Sequence, residues 1–292
     1  MKVLIASSEK NIVEERVAVY SLIASGHNET DIKIIDADKK IIYDWRRKNI
    51  EKRFNDNDKD KNFRLTTSFT LARLFIPFIY NKENVVIIDP DVLVFNNLKA
   101  LFLTNNEDGV YLRKAYKPKY WATSVFAYKA NYFNESKLLL FKSALDDPEM
   151  EWEDKIYMTN KFVRKANIKI NCISKNWNRF DQVTSNTNIV HFTNLYSQPW
   201  IHRDHPLEYQ WFQYAKKALE KNILTIENIE TQINLTTTFS EDIRALRTDF
   251  KEKLNNNVDP DSISKLRSYF VMFKKNILFH SPRKYFYTSF FT

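Results

Sequence analysis

The stretch Val85-Val86-Ile87-Ile88-Asp89-Pro90-Asp91-Val92-Leu93-Val94-Phe95 constrains this chain more than any other. Consecutive β-branched residues run into two aspartates one residue apart, and a second apolar run follows at once. An unbroken apolar run of this kind reads as a strand buried on both faces, the habit of parallel strands in an α/β domain. Side chains two apart on an extended segment point the same way. Asp89 and Asp91 are therefore expected to project together from the end of a buried strand, where open α/β sheets hold their ligands. Two adjacent carboxylates repel each other unless a cation lies between them. A hard divalent ion, Mg²⁺ or Mn²⁺, satisfies that need and brings a phosphate with it.

The Asp-x-Asp spacing also occurs at Asp36/Asp38, Asp56/Asp58, Asp58/Asp60 and Asp259/Asp261. The pairs between Asp56 and Asp60 lie in a charged run and the last follows an Asn repeat, so both read as solvated loops. Asp36/Asp38 follows the strand-like Ile32-Lys33-Ile34-Ile35 and is a competitor. Only Asp89/Asp91 is embedded between two apolar runs.

Composition narrows the chemistry. A chain of 292 residues with 43% apolar content allows one large domain, or one domain with an appendage. With two glycines in all, neither a dinucleotide fingerprint nor a P-loop is available. A bound nucleotide must then be held by a metal and side chains. Cys172 is the only cysteine, which excludes an intrachain disulfide and a cysteine-based zinc site and fits a reducing, cytoplasmic setting. Met1-Lys2-Val3-Leu4-Ile5-Ala6 is too short for a signal peptide and reads as a first strand, and no apolar run is long enough for a spanning helix. The net charge of +9 suits nucleic acid, anionic lipid or a phosphorylated substrate equally, and no nucleic-acid fingerprint accompanies it.

The apolar pattern predicts an α/β order. A strand over 2–6, a helix over 12–25 and a strand over 31–36 make a βαβ unit. A charged excursion over 44–64 precedes a helix capped from Thr66-Thr67-Ser68. Leu71, Leu74, Phe75 and Phe78 form that helix's apolar face, with Arg73 off it. Further strands are expected at 110–113, 123–128, 168–173 and 189–190. Further helices are expected at 131–145, 155–166, 205–221 and 223–257. At the end of the chain Ile263, Leu266, Phe270, Phe273 and Ile277 share a helical face flanked by Lys and Arg, and aromatic residues follow. A basic aromatic end of this kind suits a lipid interface, so residues 262–292 are a candidate peripheral membrane contact, the alternative being a helix that packs its aromatics on the main domain.

The order of these pieces resembles glycosyltransferase family 8, retaining sugar transferases of the GT-A fold, over about residues 2–200. Thr70-Leu71-Ala72-Arg73-Leu74-Phe75-Ile76-Pro77 looks like the family's Arg-Leu-x-Ile-Pro helix. Asp89-Pro90-Asp91 followed by Asn97-Leu98-Lys99-Ala100-Leu101 looks like its metal motif. Asn176-Trp177-Asn178 is similar to a late Trp-Asn element. His191-Phe192-Thr193-Asn194, ending in Gln198-Pro199-Trp200, resembles the His-x-x-Gly…Lys-Pro-Trp signature. The resemblance implies a Rossmann-like mixed sheet flanked by helices over 1–204, with a helical extension over 205–292. It implies Asp89, Asp91 and His191 as ligands of Mn²⁺ or Mg²⁺. The ion would hold the diphosphate of a nucleotide sugar donor, UDP-glucose or UDP-galactose foremost, and steady the leaving diphosphate. Arg73, Pro90 and Gln198 are placed by it at the donor, and Ala6 and Ser7 at the nucleoside. The acceptor would be a glycan, lipid or protein.

Several positions depart from that pattern. Asn194 stands where the signature has glycine, and Gln198 where it has the lysine that meets phosphate, which would weaken donor binding or shift that task to another base such as Lys175 or Arg203. Ser7-Ser8-Glu9 lacks the aspartate often set against uracil. Trp121-Ala122-Thr123-Ser124-Val125 has lost the asparagine of Phe-Asn-x-Gly-Val, and Glu153-Asp154-Lys155 replaces Asp-Gln-Asp. Trp152-Glu153-Asp154 also resembles the acidic element of inverting GT-A enzymes. Glu153 or Asp154 is thus the candidate catalytic carboxylate, either as acceptor base or as a group steadying an oxocarbenium-like centre. Two other readings compete. A phosphatase of the haloacid dehalogenase type wants Thr or Val where Leu93 stands. A transferase-like protein that binds nucleotide or glycan without turnover fits the altered acceptor motifs.

Overall fold

The computed structural model describes residues 1–37, 68–103, 107–193, 198–200 and 205–236. The chain divides into two compact units. One holds residues 1–8 and 21–191, and the other holds residues 9–20 and 192–292.

The first unit is built on a six-stranded mixed sheet of order β2-β1-β3-β6-β5-β7. Its strands are β1 (Lys2–Ser7), β2 (Ile32–Asp36), β3 (Val85–Ile88), β5 (Val110–Lys114), β6 (Trp121–Tyr128) and β7 (Ile170–Cys172). β1 runs parallel to both β2 and β3, with Ile5 opposite Ile88. β6 is antiparallel to β3 and β5, and β7 is parallel to β5. A second, three-stranded sheet places β9 (Ile189–His191) between β4 (Val92–Val94) and β8 (Arg179–Phe180). The apolar run read from the sequence is therefore two strands. β3 lies at the heart of one sheet, β4 belongs to the other, and Asp89-Pro90-Asp91 carries the chain between them.

Burial follows the sequence pattern. Val85 to Ile88 and all eight residues of β6 are buried, as expected for strands covered on both faces. Helix α1 (Ile12–Ala24) joins β1 to β2, with Glu14 and Glu15 in its first turn where the dipole favours acids. Helix α2 (Ser68–Ile79) buries Leu71, Ala72, Leu74 and Ile76 completely. Arg73 lies off the expected apolar face but is also buried, because this helix is covered on more than one side. The short α3 (Lys99–Leu103) follows the second sheet's first strand.

Other elements also differ from the sequence expectation. The helix expected over 131–145 starts later, as α4 (Glu135–Asp146). Asn131 adopts a left-handed φ of 62°, and Asn134 caps the helix by accepting from Lys137 N at 3.0 Å. The helix expected over 155–166 is two helices, α5 (Trp152–Ile156) and α6 (Asn160–Lys165), parted at Met158 with φ 43°. The strand expected over 168–173 shortens to β7. The Thr66–Thr67 cap, the charged excursion, the Asp56/Asp58/Asp60 and Asp259/Asp261 pairs and the 262–292 tail lie outside the described residues. So do Asp38, Asn194 and Arg203.

In the second unit, the first part of α1 meets α8 (Ile226–Thr236). Val13 N donates to Gln232 Oε1 at 2.7 Å, and Gln232 Nε2 donates to Glu14 Oε2 at 2.7 Å. Phe192, Trp200 and Trp211 of α7 (Glu208–Glu220) pack ring against ring. Among the described residues, no helix is long and apolar enough to cross a membrane.

Candidate metal and donor site

Strand directions bring the candidate residues to one edge of the large sheet. β1 and β3 run in parallel and end together, so Ala6–Ser7 and Asp89 leave from the same edge. β6 runs the other way with Val125 opposite Ile88, which sets Thr123 and Ser124 beside them. This is the carboxyl-terminal edge of the parallel strands, where α/β folds hold ligands.

His191 reaches the same place from the small sheet. It lies opposite Val92 on one side, one residue after Asp91, and opposite Phe180 on the other. Its Nε2 stands 3.1 Å from Asp91 Oδ1 and 3.9 Å from Asp89 Oδ2. One ligand atom from each of the three residues fits within 4.8 Å. Asp89 and His191 are buried, and Asp91 is 12% exposed. Asp89 Oδ1 and His191 Nδ1 are buried with no hydrogen-bond partner. Buried polar atoms are ordinarily satisfied. Two carboxylates and an imidazole with lone pairs left over form a donor set that suits Mg²⁺ or Mn²⁺.

The electrostatics carry the same signature. Burial pushes the Asp89 carboxyl up to about 6, and Asp91 adds to the push, against the pull of Arg73 and His191. Burial alone lowers the His191 imidazole, but Asp91, Asp89 and Asp181 outweigh it and hold the imidazole above its ordinary value.

Arg73 supplies one fixed charge from α2. Its Nη2 reaches Asp89 Oδ2 at 3.2 Å, its Nη1 donates to Thr123 Oγ1 at 3.3 Å, and its Nε donates to Thr70 O at 3.1 Å. The guanidinium is thereby locked in orientation, a use of arginine that lysine does not match. Thr123 Oγ1 in turn donates to Ile156 O at 2.9 Å. The sequence reading of that strand registered a lost asparagine and did not see this role. It also missed what Asn178 does. The wholly buried Asn178 Nδ2 donates to Ser124 Oγ at 2.9 Å, and the Ser124 carbonyl accepts from Asp89 N at 3.2 Å.

The remaining candidates fall as follows. Ala6 and Ser7 are buried at the end of β1, and Pro90 is buried within the Asp-Pro-Asp turn. Glu153 is exposed and accepts from Tyr120 OH at 2.6 Å. Asp154 is engaged in its own loop, accepting from Thr159 Oγ1 at 2.5 Å with Lys161 Nζ 3.8 Å away. Gln198 lies in the second unit, buried, with its Nε2 donating to Phe192 O at 3.0 Å. Lys175 is exposed beside the Trp-Asn element. Asp36, of the competing pair, sits exposed at the end of the edge strand β2.

No protein-family model matches the chain, and no curated protein matches it by sequence. Solved structures do. The bifunctional glycosyltransferase WbbM superposes with a TM-score of 0.53 at 13% identity, over 76% of this chain and 51% of its own. The galactosyltransferase LgtC, solved with donor and acceptor sugar analogues, gives 0.51 at 17% identity over 77% of this chain and 100% of its own. GlyE, a glycosyltransferase of Streptococcus pneumoniae, gives 0.51 at 15% identity over 75% and 63%. The chain thus spans about half the length of WbbM, less than two thirds of GlyE and all of LgtC. Identities this low show the fold alone, and that fold is GT-A.

Proposed function

We propose that this protein is a metal-dependent glycosyltransferase that moves a hexose from a nucleotide diphosphate sugar to an acceptor. The observation that carries the reading is the buried Asp89–Asp91–His191 cluster at the ligand-bearing edge of a GT-A sheet, with one ligand atom from each residue within 4.8 Å of the others. Asp89, Asp91 and His191 would hold Mn²⁺ or Mg²⁺. When bound, that ion supplies Lewis acidity to the departing diphosphate. Arg73 favours the ionised form of Asp89 and fixes its orientation, held by three contacts that do not depend on substrate.

The finer reading is a UDP-hexose donor, with UDP-glucose or UDP-galactose foremost, and retention of anomeric configuration. It rests on the family 8 resemblance of the motifs that build the cluster. Transfer breaks the bond from the anomeric carbon to the diphosphate oxygen and forms the bond to the acceptor oxygen. In the retaining course, the acceptor proton leaves with the diphosphate. Glu153 favours a second reading, because its carboxylate is exposed and oriented by Tyr120, as an acceptor base in an inverting course requires. Proton NMR of the fresh product separates the two. Retention gives the donor's own anomeric coupling, and an inverted product rejects the first reading. No turnover of any nucleotide sugar, with metal-dependent nucleotide binding intact, would leave a binding protein.

A further inference from the structure

The β5–β6 hairpin carries a basic, aromatic surface that the donor site leaves unused. Lys114 pairs with Trp121 across the hairpin, and β6 then runs past Val125 opposite Ile88. The connection at 115–120 therefore leaves the sheet at the same edge as Asp89. The chain has no acidic residue between Asp108 and Glu135. Lys114, Lys117 and Lys119 are exposed, and Tyr116 is 81% exposed. The ammonium groups gather over two rings. Lys114 Nζ lies 4.1 Å from the Trp121 centroid, and Lys119 and Lys117 lie 4.8 and 5.6 Å from that of Tyr120. The half-buried Arg113 guanidinium stands 4.0 Å over Phe180 and 5.7 Å from the Tyr116 ring. Tyr116 packs on Phe180 at 5.7 Å, and Phe180 on His191 at 5.8 Å. An aromatic wall thus runs from an exposed tip to a candidate metal ligand. Glu153, bonded to Tyr120, and Asp154 are carboxylates that act on Lys119.

We propose that this hairpin is a binding site for an anionic glycan, a saccharide bearing carboxylate or phosphate groups. It is the acceptor's site if the transferase reading holds. A sugar ring has a C–H face that packs on the negative face of an aromatic ring, and Tyr116 offers such a face at little cost in side-chain entropy. The lysines match charge on the same ligand. A neutral glycan has no use for the lysines, and a bare polyanion has none for Tyr116. The path along Phe180 leads the bound chain toward His191, where its hydroxyl would meet the donor.

The test is calorimetric titration of the full chain, in EDTA and without nucleotide, with four probes of matched length. These are an oligogalacturonate, a phosphodiester-linked oligosaccharide, a neutral dextran oligomer and inorganic polyphosphate. Binding of either anionic saccharide at least fivefold tighter than dextran is expected, and the tighter of the two names the anionic group. Lys117→Ser/Lys119→Ser should weaken that binding at least fivefold. The charge-matched control Lys82→Ala/Lys99→Ala should leave it within twofold. Tyr116→Ala should weaken the saccharide and spare polyphosphate. Equal losses in the control pair, or polyphosphate binding that matches the saccharide's and ignores Tyr116, would overturn the proposal. Asp91→Ala should bind the glycan as wild type does, so failure of the metal site and failure of the hairpin are read separately.

Discussion

Arg73 and Asp89 meet at 3.2 Å with each side chain only 4% exposed, so helix α2 supplies a buried, permanent counter-charge to the first aspartate of the metal motif. A buried pair of this kind adds little net stability over an apolar pair, but breaking it strands a charge. Arg73→Ala should therefore cost about 3–5 kcal/mol in chemical denaturation at pH 8. Arg73→Lys should recover only part of it, since one ammonium cannot serve Thr70, Thr123 and Asp89 together. A loss under about 1 kcal/mol would mean that the pair is not buried as described.

The pH dependence follows from the raised carboxyl and imidazole. In the metal-free protein both groups bind their protons more tightly folded than unfolded. The stability that Asp89 contributes is fully present below its ordinary value of 3.8 and is lost as pH rises through about 6. That of His191 is present below 6.5 and is lost as pH climbs above it. A divalent ion needs both groups deprotonated. The rise in melting temperature caused by millimolar Mn²⁺ should be small at pH 5.5 and larger at pH 7.5. Equal shifts at the two pH values would separate the ion from these ligands.

Asn178 should act on the cluster from a distance. Asn178→Ala removes both its bonds to Ser124, whose carbonyl holds Asp89 N. A stability loss of about 1–3 kcal/mol is expected, with weaker Mn²⁺ affinity in isothermal titration. Lost stability with unchanged affinity would confine Asn178 to packing.

Asp154 and Glu153 should part company. Asp154→Ala and Thr159→Val each remove the same loop contact, so the double variant should be no less stable than the worse single one. Glu153→Gln should leave the melting temperature unchanged and reduce turnover. The reverse pattern would make Asp154 the working carboxylate.

Deletion after Asp259 should lower co-sedimentation with anionic liposomes by several-fold at low salt if the tail lies in a lipid interface. Unchanged sedimentation would contradict that expectation.

Much of this was legible in the chain, for reasons that can be named. The β-branched run at Val85–Ile88 marks a strand covered on both faces, and the paired aspartates that end it mark a candidate cation site. Local signals misled where a single residue overrides the pattern. Met158 takes a left-handed turn inside an apolar helical spacing and splits one helix into two, and Asn131 delays another. What the sequence could not show is partnership across distance. Thr123 holding Arg73, Asn178 holding Ser124, and Phe180 joining Tyr116 to His191 depend on strand register that no local pattern encodes.

The most direct test of the central claim is a thermal-shift titration of wild type and Asp91→Ala with UDP, GDP, CMP and ADP, each with and without Mn²⁺. Ligand that binds only the folded state raises the melting temperature by mass action. The wild type should rise with one nucleotide class, UDP foremost, only when Mn²⁺ is present. The folded variant should not respond. A rise that needs no metal, or one that survives in Asp91→Ala, would contradict the assignment of Asp89, Asp91 and His191 as the site that holds the donor.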